Sequence, residues 1–236
     1  MSSTYFISDL HLDASRPATE QAFYKFLDRI AVCDALYILG DLFESWLGDD
    51  DDAALGERVC QALADFTDGG PRLFVMHGNR DYLLGLHFCA RTGAMLIPDP
   101  HVIELFGIPT LLMHGDSLCT DDATYQAFRA KSRESSWQTK ILSETLEERR
   151  EIAARLREMS NEARSNKPED IVDVSPREVN RVMKETQVMQ LIHGHTHRPG
   201  RHDEDYGTRW VLGDWDRYAW CVEASDGSFD LRRFRI

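Results

Sequence analysis

Long hydrophobic runs are missing from this 236-residue chain. No window of 18 or more apolar residues exists, which excludes a membrane-spanning helix. The first apolar run, Thr4-Tyr5-Phe6-Ile7, is too short for the core of a signal peptide, and charges follow at Asp9, His11 and Asp13. Secretion is not expected. Cysteine is sparse: Cys33, Cys60, Cys89, Cys119 and Cys221 are odd in number, widely spaced and form no CxxC pair. That excludes a disulfide framework and a cysteine zinc site, and a reducing cytosol fits the pattern. Positive charge is also scarce. With 27 Lys and Arg against 40 Asp and Glu the net charge is −13, which argues against a nucleic-acid partner. Internal repeats are absent, and the acidic run Asp49–Asp52 is the only biased segment.

What is present reads as one domain over residues 1–236. Short β-type runs recur at Tyr5-Phe6-Ile7, Ala35–Leu39, Leu73–Met76, Thr110–Met113, Met189–Ile192, Trp210–Leu212 and Tyr218–Val222. Between the early ones, Thr19–Ile30 and Ala53–Phe66 carry apolar residues spaced for one helical face. This alternation predicts an α/β sheet with a strand-rich C-terminal part. Residues 121–185 differ: they are charged and helix-forming, with an apolar stripe at Ile152, Ala153, Leu156 and Met159 that Pro168 and Pro176 interrupt. They are read as a helical insertion between two core strands. Arg129 to Lys167 holds ten basic residues against seven acidic ones, a local excess of three, so the rest of the chain carries −16. By count alone this is a solvated helix of mixed charge.

The chemistry lies at the ends of the apolar runs. Asp9-x-His11 ends the first, Gly40-Asp41 the second, Gly78-Asn79-Arg80-Asp81 follows the third, His114-Gly115-Asp116 ends the fourth, and Gly194-His195-Thr196-His197 follows the fifth. Sites in open α/β sheets form at the carboxyl ends of strands. A lone Asp-x-His or Gly-Asn-Arg-Asp is usually a turn; five such blocks in succession are not. Carboxylate, imidazole and amide donors without thiolate suit Mn, Fe, Zn or Mg. Seven donors exceed the needs of one ion. Two ions roughly 3.5–4 Å apart clamp the attacking and leaving oxygens of an in-line displacement and lower the pKa of the water between them.

These blocks resemble those of the calcineurin-like metallophosphoesterases, D-x-H, G-D, G-N-H-[DE], H and G-H-x-H. The resemblance implies a sandwich of two β-sheets flanked by helices. It implies one ion on Asp9, His11, Asp41 and His197, and a second on Asp41, Asn79, His114 and His195, with Asp41 bridging. One departure stands out: the third block usually has His where this chain has Arg80. Arginine donates no proton near neutral pH but stabilises charge on phosphate oxygens. Arg80 therefore points to phosphoanhydride cleavage, whose phosphate leaving group needs no proton.

Longer runs resemble one branch more closely, the bacterial UDP-2,3-diacylglucosamine pyrophosphatases of lipid A biosynthesis. They are Ile38–Glu44 with Trp46 and Gly48-Asp49-Asp50, His77–Asp81 with Leu83-Leu84-Gly85, His114–Asp116 with Leu118–Asp122 and Tyr125–Arg129, and Ile192–Pro199. That resemblance implies two Mn²⁺ per chain and a lipid-linked UDP-sugar substrate split into UMP and 2,3-diacylglucosamine 1-phosphate. It also implies a peripheral place at the cytoplasmic face of the inner membrane, with no nucleic acid and no obligate protein partner. The insertion would be a lid over the acyl chains. Asn79, Arg80, Asp122, Ser160, Lys167 and His195 match substrate-contacting positions, and Arg164 stands where relatives often carry Asn. The basic excess of the insertion would then face substrate phosphate or an anionic membrane. Trp137, Ile141 and Leu142 would form an amphipathic membrane-contacting segment. The alternatives are another dinuclear phosphoesterase, acting on a nucleotide or phosphodiester, and a non-catalytic scaffold.

Overall fold

A computed structural model describes residues 3–166 and 171–236, with side chains for 3–159 and 171–236. Two sheets face each other. The first has the order β11-β10-β1-β2-β3-β4, with β1 Ser3–Ile7, β2 Ala35–Leu39, β3 Arg72–Met76, β4 Met95–Ile97, β10 Tyr218–Ser225 and β11 Ser228–Arg235. The second has the order β5-β6-β7-β9-β8, with β5 His101–Leu105, β6 Ile108–Leu112, β7 Gln190–His193, β8 Gly200–Glu204 and β9 Gly207–Val211. β1, β2, β3 and β4 run parallel, as do β6, β7 and β9. Parallel strands bring their carboxyl ends to one rim.

Strand β2 is buried along its whole length, as a parallel strand covered on both faces must be. Between the sheets Phe6, Tyr37, Leu39 and Met76 pack against Leu112, Ile192 and Leu212. On the outer face of the first sheet lie α1 (Pro17–Arg29) and α2 (Ala54–Asp68), whose Phe23, Phe26, Val59 and Leu63 meet Ile38, Val75 and Trp215. Their limits fall within two residues of the predicted ones. The four edge strands β4, β5, β8 and β11 are new. Strand β8 reads Gly-Arg-His-Asp-Glu and carries no apolar signal, because it is an exposed edge.

The helical stretch divides into two parts of different character. Helices α4 (Ala123–Ser132), α5 (Ser135–Leu142) and α6 (Leu146–Asn166) form a roof over the rim. Helix α7 (Pro176–Thr186) belongs instead to the core: Val179 and Met183 are fully buried against Leu111 and Leu191. The expected lid boundary at 185 therefore runs too far. Charge count cannot separate α7 from the roof, because its exposed face is as polar as theirs.

Candidate metal centre

The backbone builds the site before any side chain does. Asp9, His11, Asp41, His195 and His197 all have φ between 48° and 68°. They are five of the eight non-glycine residues in the left-handed region among the described residues. That region costs an L-residue energy and persists only where surrounding structure over-determines it. The surrounding structure here is a set of loop-to-loop hydrogen bonds. Asp9 N–H donates to Gly40 O at 3.1 Å, His11 N–H to Asp41 O at 3.0 Å, and Gly194 N–H to His114 O at 2.8 Å. Glycine is required at two close approaches. A Cβ on Gly78 would sit 2.0 Å from Asp41 Oδ1, and one on Gly194 would sit 2.1 Å from Asp9 Oδ2.

All seven predicted donors converge. Asp9, His11 and His197 form one group, and Asp9, Asp41 and His114 another, each with its donor atoms within 4.8 Å of one another. His11 Nε2 and His197 Nε2 stand 3.3 Å apart, and Asp9 Oδ1 is 3.5 Å from His197 Nε2. Asn79 Oδ1 lies 3.0 Å from His114 Nε2 and 2.9 Å from His195 Nδ1. Asp41 Oδ2 is 3.7 Å from His11 Nε2 and 3.8 Å from His114 Nε2, so it lies between a histidine of each group, and Asp9 belongs to both groups. Asp9 and His114 are fully buried, and Asp41 is 2% exposed. Buried Asp9 Oδ1 has no hydrogen-bond partner. Carboxylate and imidazole atoms turned inward on one another, one of them orphaned, fit cations in both groups.

The electrostatics agree. Burial disfavours charge on His114, yet the carboxylates of Asp41, Asp116 and Asp9 push it up to about 9. Burial, with the charge of His114 beside it, pushes His195 down to about 3.

Three carboxylates that the sequence reading left without a role organise the site. Fully buried Asp81 accepts from the N–H groups of Gly78 (2.8 Å), Asp41 (3.2 Å) and Leu42 (2.8 Å), tying two donor loops together. Asp116 Oδ2 accepts from Tyr125 Oη at 2.6 Å and lies 2.9 Å from Arg129 Nε, which fastens α4 to the loop of His114. Asp49 accepts from the N–H groups of Gly85, His87 and Phe88 and so caps α3 (Leu86–Thr92). Asp49 and Asp116 each follow a glycine and Asp81 follows Arg80, all within the quoted motifs. Burial marks Asp81 and Asp116, and the backbone N–H groups that it accepts mark Asp49; sequence displays neither.

Above the donors lies a chamber of about 640 Å³. His11, Asp41, Asn79, Arg80, His195 and His197 form its floor. Trp46, Leu83, Phe128, Ile141, Ile152 and Leu156 form an apolar roof and wall. Arg80 is held by its backbone, since its N–H donates to Asp41 Oδ1 at 2.8 Å, and its side chain opens to the chamber. Asp122 also lines the chamber, but it caps α4 by accepting from Tyr125 N–H at 3.0 Å. Lys167, and the side chains of Ser160 and Arg164, lie outside the described residues.

Two expectations change. The basic excess of the insertion is largely met within the chain. Arg129 and Arg133 face Asp116, Arg149 pairs with Asp50, Arg150 with Asp51 and Asp52, and Arg157 lies 4.0 Å from Asp13. The acidic run and the basic island are partners, and neither composition nor distance in sequence indicates that. Of the proposed membrane segment only Leu142 is well exposed. Trp137 packs at 5.6 Å from the Tyr82 ring and Ile141 lines the chamber.

A sequence model of the calcineurin-like phosphoesterase family matches residues 3–199. The chain belongs to that family. Among solved members of the fold, an archaeal phosphodiesterase superposes over 99% of both chains with a TM-score of 0.53 at 12% identity, a likeness of fold alone. Curated relatives are much nearer in sequence. The UDP-2,3-diacylglucosamine hydrolase of Cellvibrio japonicus is 48% identical over 99% of this phosphoesterase and 100% of its own length. That of Marinobacter nauticus is 49% identical over 94% and 93% respectively. A family member with all seven donors gathered on one rim is a hydrolase built for metal-dependent work on phosphoesters or phosphoanhydrides.

Proposed function

We propose that this chain hydrolyses UDP-2,3-diacylglucosamine to UMP and 2,3-diacylglucosamine 1-phosphate in lipid A biosynthesis. The observation that carries the reading is the chamber: a polar floor of five of the seven donors with Arg80, under an apolar roof. A nucleoside diphosphate sugar with two acyl chains has the same division. The names of relatives at 48–49% identity support it.

Asp9, His11, Asp41 and His197 would hold one ion, and Asp41, Asn79, His114 and His195 the other, with Asp41 Oδ2 shared. Two Mn²⁺ ions suit this set of oxygen and imidazole donors. Bound there, they would supply Lewis acidity and a water deprotonated near neutral pH. The chain's own residues do the rest. Left-handed backbone at five donor positions fixes their direction before substrate arrives. Arg80 faces the phosphate and stabilises the charge that develops there. Asn79 and His195 border the same space, and Tyr125 stacks on the His195 ring at 5.7 Å, which limits its rotation. Water oxygen bonds to the uridylyl phosphorus as the bond to the bridging oxygen breaks. The sugar phosphate leaves as an anion of low basicity, so no general acid is needed. Ser160, Arg164, Lys167 and Asp122 are proposed as further substrate contacts.

Peripheral attachment to the cytoplasmic face of the inner membrane is part of the proposal. Among the described residues no helix is long and apolar enough to cross a membrane, while Leu142 and Met159 of the roof are 43% and 65% exposed. Incubation of the protein with UDP-2,3-diacylglucosamine and Mn²⁺, read by mass spectrometry, tests the function. UMP and the diacylglucosamine 1-phosphate should accumulate. An intact lipid, alongside turnover of a simple phosphomonoester, would overturn the reading.

A further inference from the structure

Glu44 stands where two functions meet. Its Oε2 is 3.0 Å from His11 Nδ1, and its Oε1 is 3.9 Å from Arg80 Nη1. His11 turns its other nitrogen, Nε2, toward Asp41 and His197. Buried Nδ1 makes no aligned hydrogen bond, and the Glu44 carboxylate 3.0 Å away is the acid that faces it. Loop geometry holds the carboxylate there: Glu44 N–H donates to Leu12 O at 3.1 Å, and Leu12 bridges Phe43, so this segment is registered against the segment that carries His11. The Glu44 side chain is 26% exposed and borders the chamber.

We propose that Glu44 is a positioning residue that serves both His11 and Arg80. Its Oε2 accepts from His11 Nδ1–H, which leaves the Nε2 lone pair directed at the cation. Its Oε1 draws the Arg80 guanidinium over the same edge of the floor. A carboxylate behind a ligating histidine sets its tautomer and raises its basicity. The guanidinium is the phosphate-facing group, so one side chain ties the quality of the metal ligand to the position of the charge stabiliser. The share assigned to Arg80 rests on the proposed function; the share assigned to His11 does not.

The test separates the two shares. Titration of the metal-free protein with Mn²⁺ needs no substrate. Glu44→Ala should weaken binding by roughly 10-fold or more, the usual cost of losing an outer partner. Glu44→Gln keeps an acceptor oxygen for Nδ1–H and should stay within a few-fold of the parent. Arg80→Ala should bind Mn²⁺ as the parent does. Nitrogen-15 NMR of the histidines should show a fixed Nδ1–H tautomer for His11 in the parent and in Glu44→Gln, and a mixture in Glu44→Ala. In turnover at saturating Mn²⁺, Glu44→Gln should lower kcat, and the loss in the double variant with Arg80→Ala should fall short of the product of the single losses. Parent-like Mn²⁺ affinity and tautomer in Glu44→Ala would overturn the His11 share. Fully multiplicative losses with Arg80→Ala would overturn the coupling. If Glu44→Ala does not fold, Glu44→Asp, which is too short to reach Nδ1, takes its place in the titration.

Discussion

The floor of the chamber and its roof are built on opposite principles. The floor consists of strand-end loops with buried donors, left-handed backbone and hydrogen bonds from loop to loop. The roof consists of helices that bury little: α5 buries no residue and α4 buries only Ser132. Ion pairs join the roof to the rest of the chain, among them Asp116 with Arg129, Asp50 with Arg149 and Asp13 with Arg157. The difference indicates which part sets chemistry and which sets the ligand. Displacing a floor donor disturbs packed core. A change in the roof alters mainly apolar surface, except where Tyr125 of α4 stacks on the His195 ring.

The largest effect should come from the floor. Asp41→Ala removes the donor assigned to both proposed ions, so activity and Mn²⁺ content should both collapse. His197→Ala takes one from a single group and should leave more of each. Metal analysis showing the reverse order would break the assignment of the shared carboxylate. Arg80→Ala comes next, with kcat lower by on the order of 10²–10³ and full metal content. A fully active variant would remove the role given to Arg80. Asp81→Ala strips the acceptor from three N–H groups. Thermal unfolding should show a loss of roughly 1–3 kcal/mol, the cost of leaving buried donors unpaired. An unchanged melting temperature would mean that the loops hold one another without it.

Roof changes should be milder and of another kind. Arg149 is 4% exposed and donates to Leu47 O at 2.6 Å as well as facing Asp50. Arg149→Ala should raise KM for the lipid substrate by roughly 10-fold, with kcat and metal content near the parent values, because uniform binding is what it removes. A drop in metal content would erase the contrast between roof and floor. Smallest of all is membrane attachment. With Arg129, Arg133, Arg149, Arg150 and Arg157 paired inside the chain, flotation with anionic vesicles should show weak binding that Leu142→Glu reduces. Binding unchanged by Leu142→Glu would move the contact elsewhere.

Much of the floor was legible in the sequence, because metal donors must follow strand ends and glycine must stand where backbones nearly touch. Asp9, His11, Asp41, Asn79, His114, His195 and His197 carry that pattern openly. The organising carboxylates were not legible. Asp81, Asp116 and Glu44 lie beside donors in sequence, but only burial and partner distances distinguish them from turn residues. The roof was the least legible. An acidic run at Asp49–Asp52 and a basic helix some hundred residues later give no sign in sequence that they pair. Helix α7 looks like its neighbours because its buried Val179 and Met183 are too few to mark a core helix.

The most direct test of the account is hydrolysis of UDP-2,3-diacylglucosamine by the Mn²⁺-loaded protein in ¹⁸O-water. Attack on the uridylyl phosphorus beside Arg80 should place the label in UMP and leave the diacylglucosamine 1-phosphate unlabelled. Label in the lipid product would contradict it.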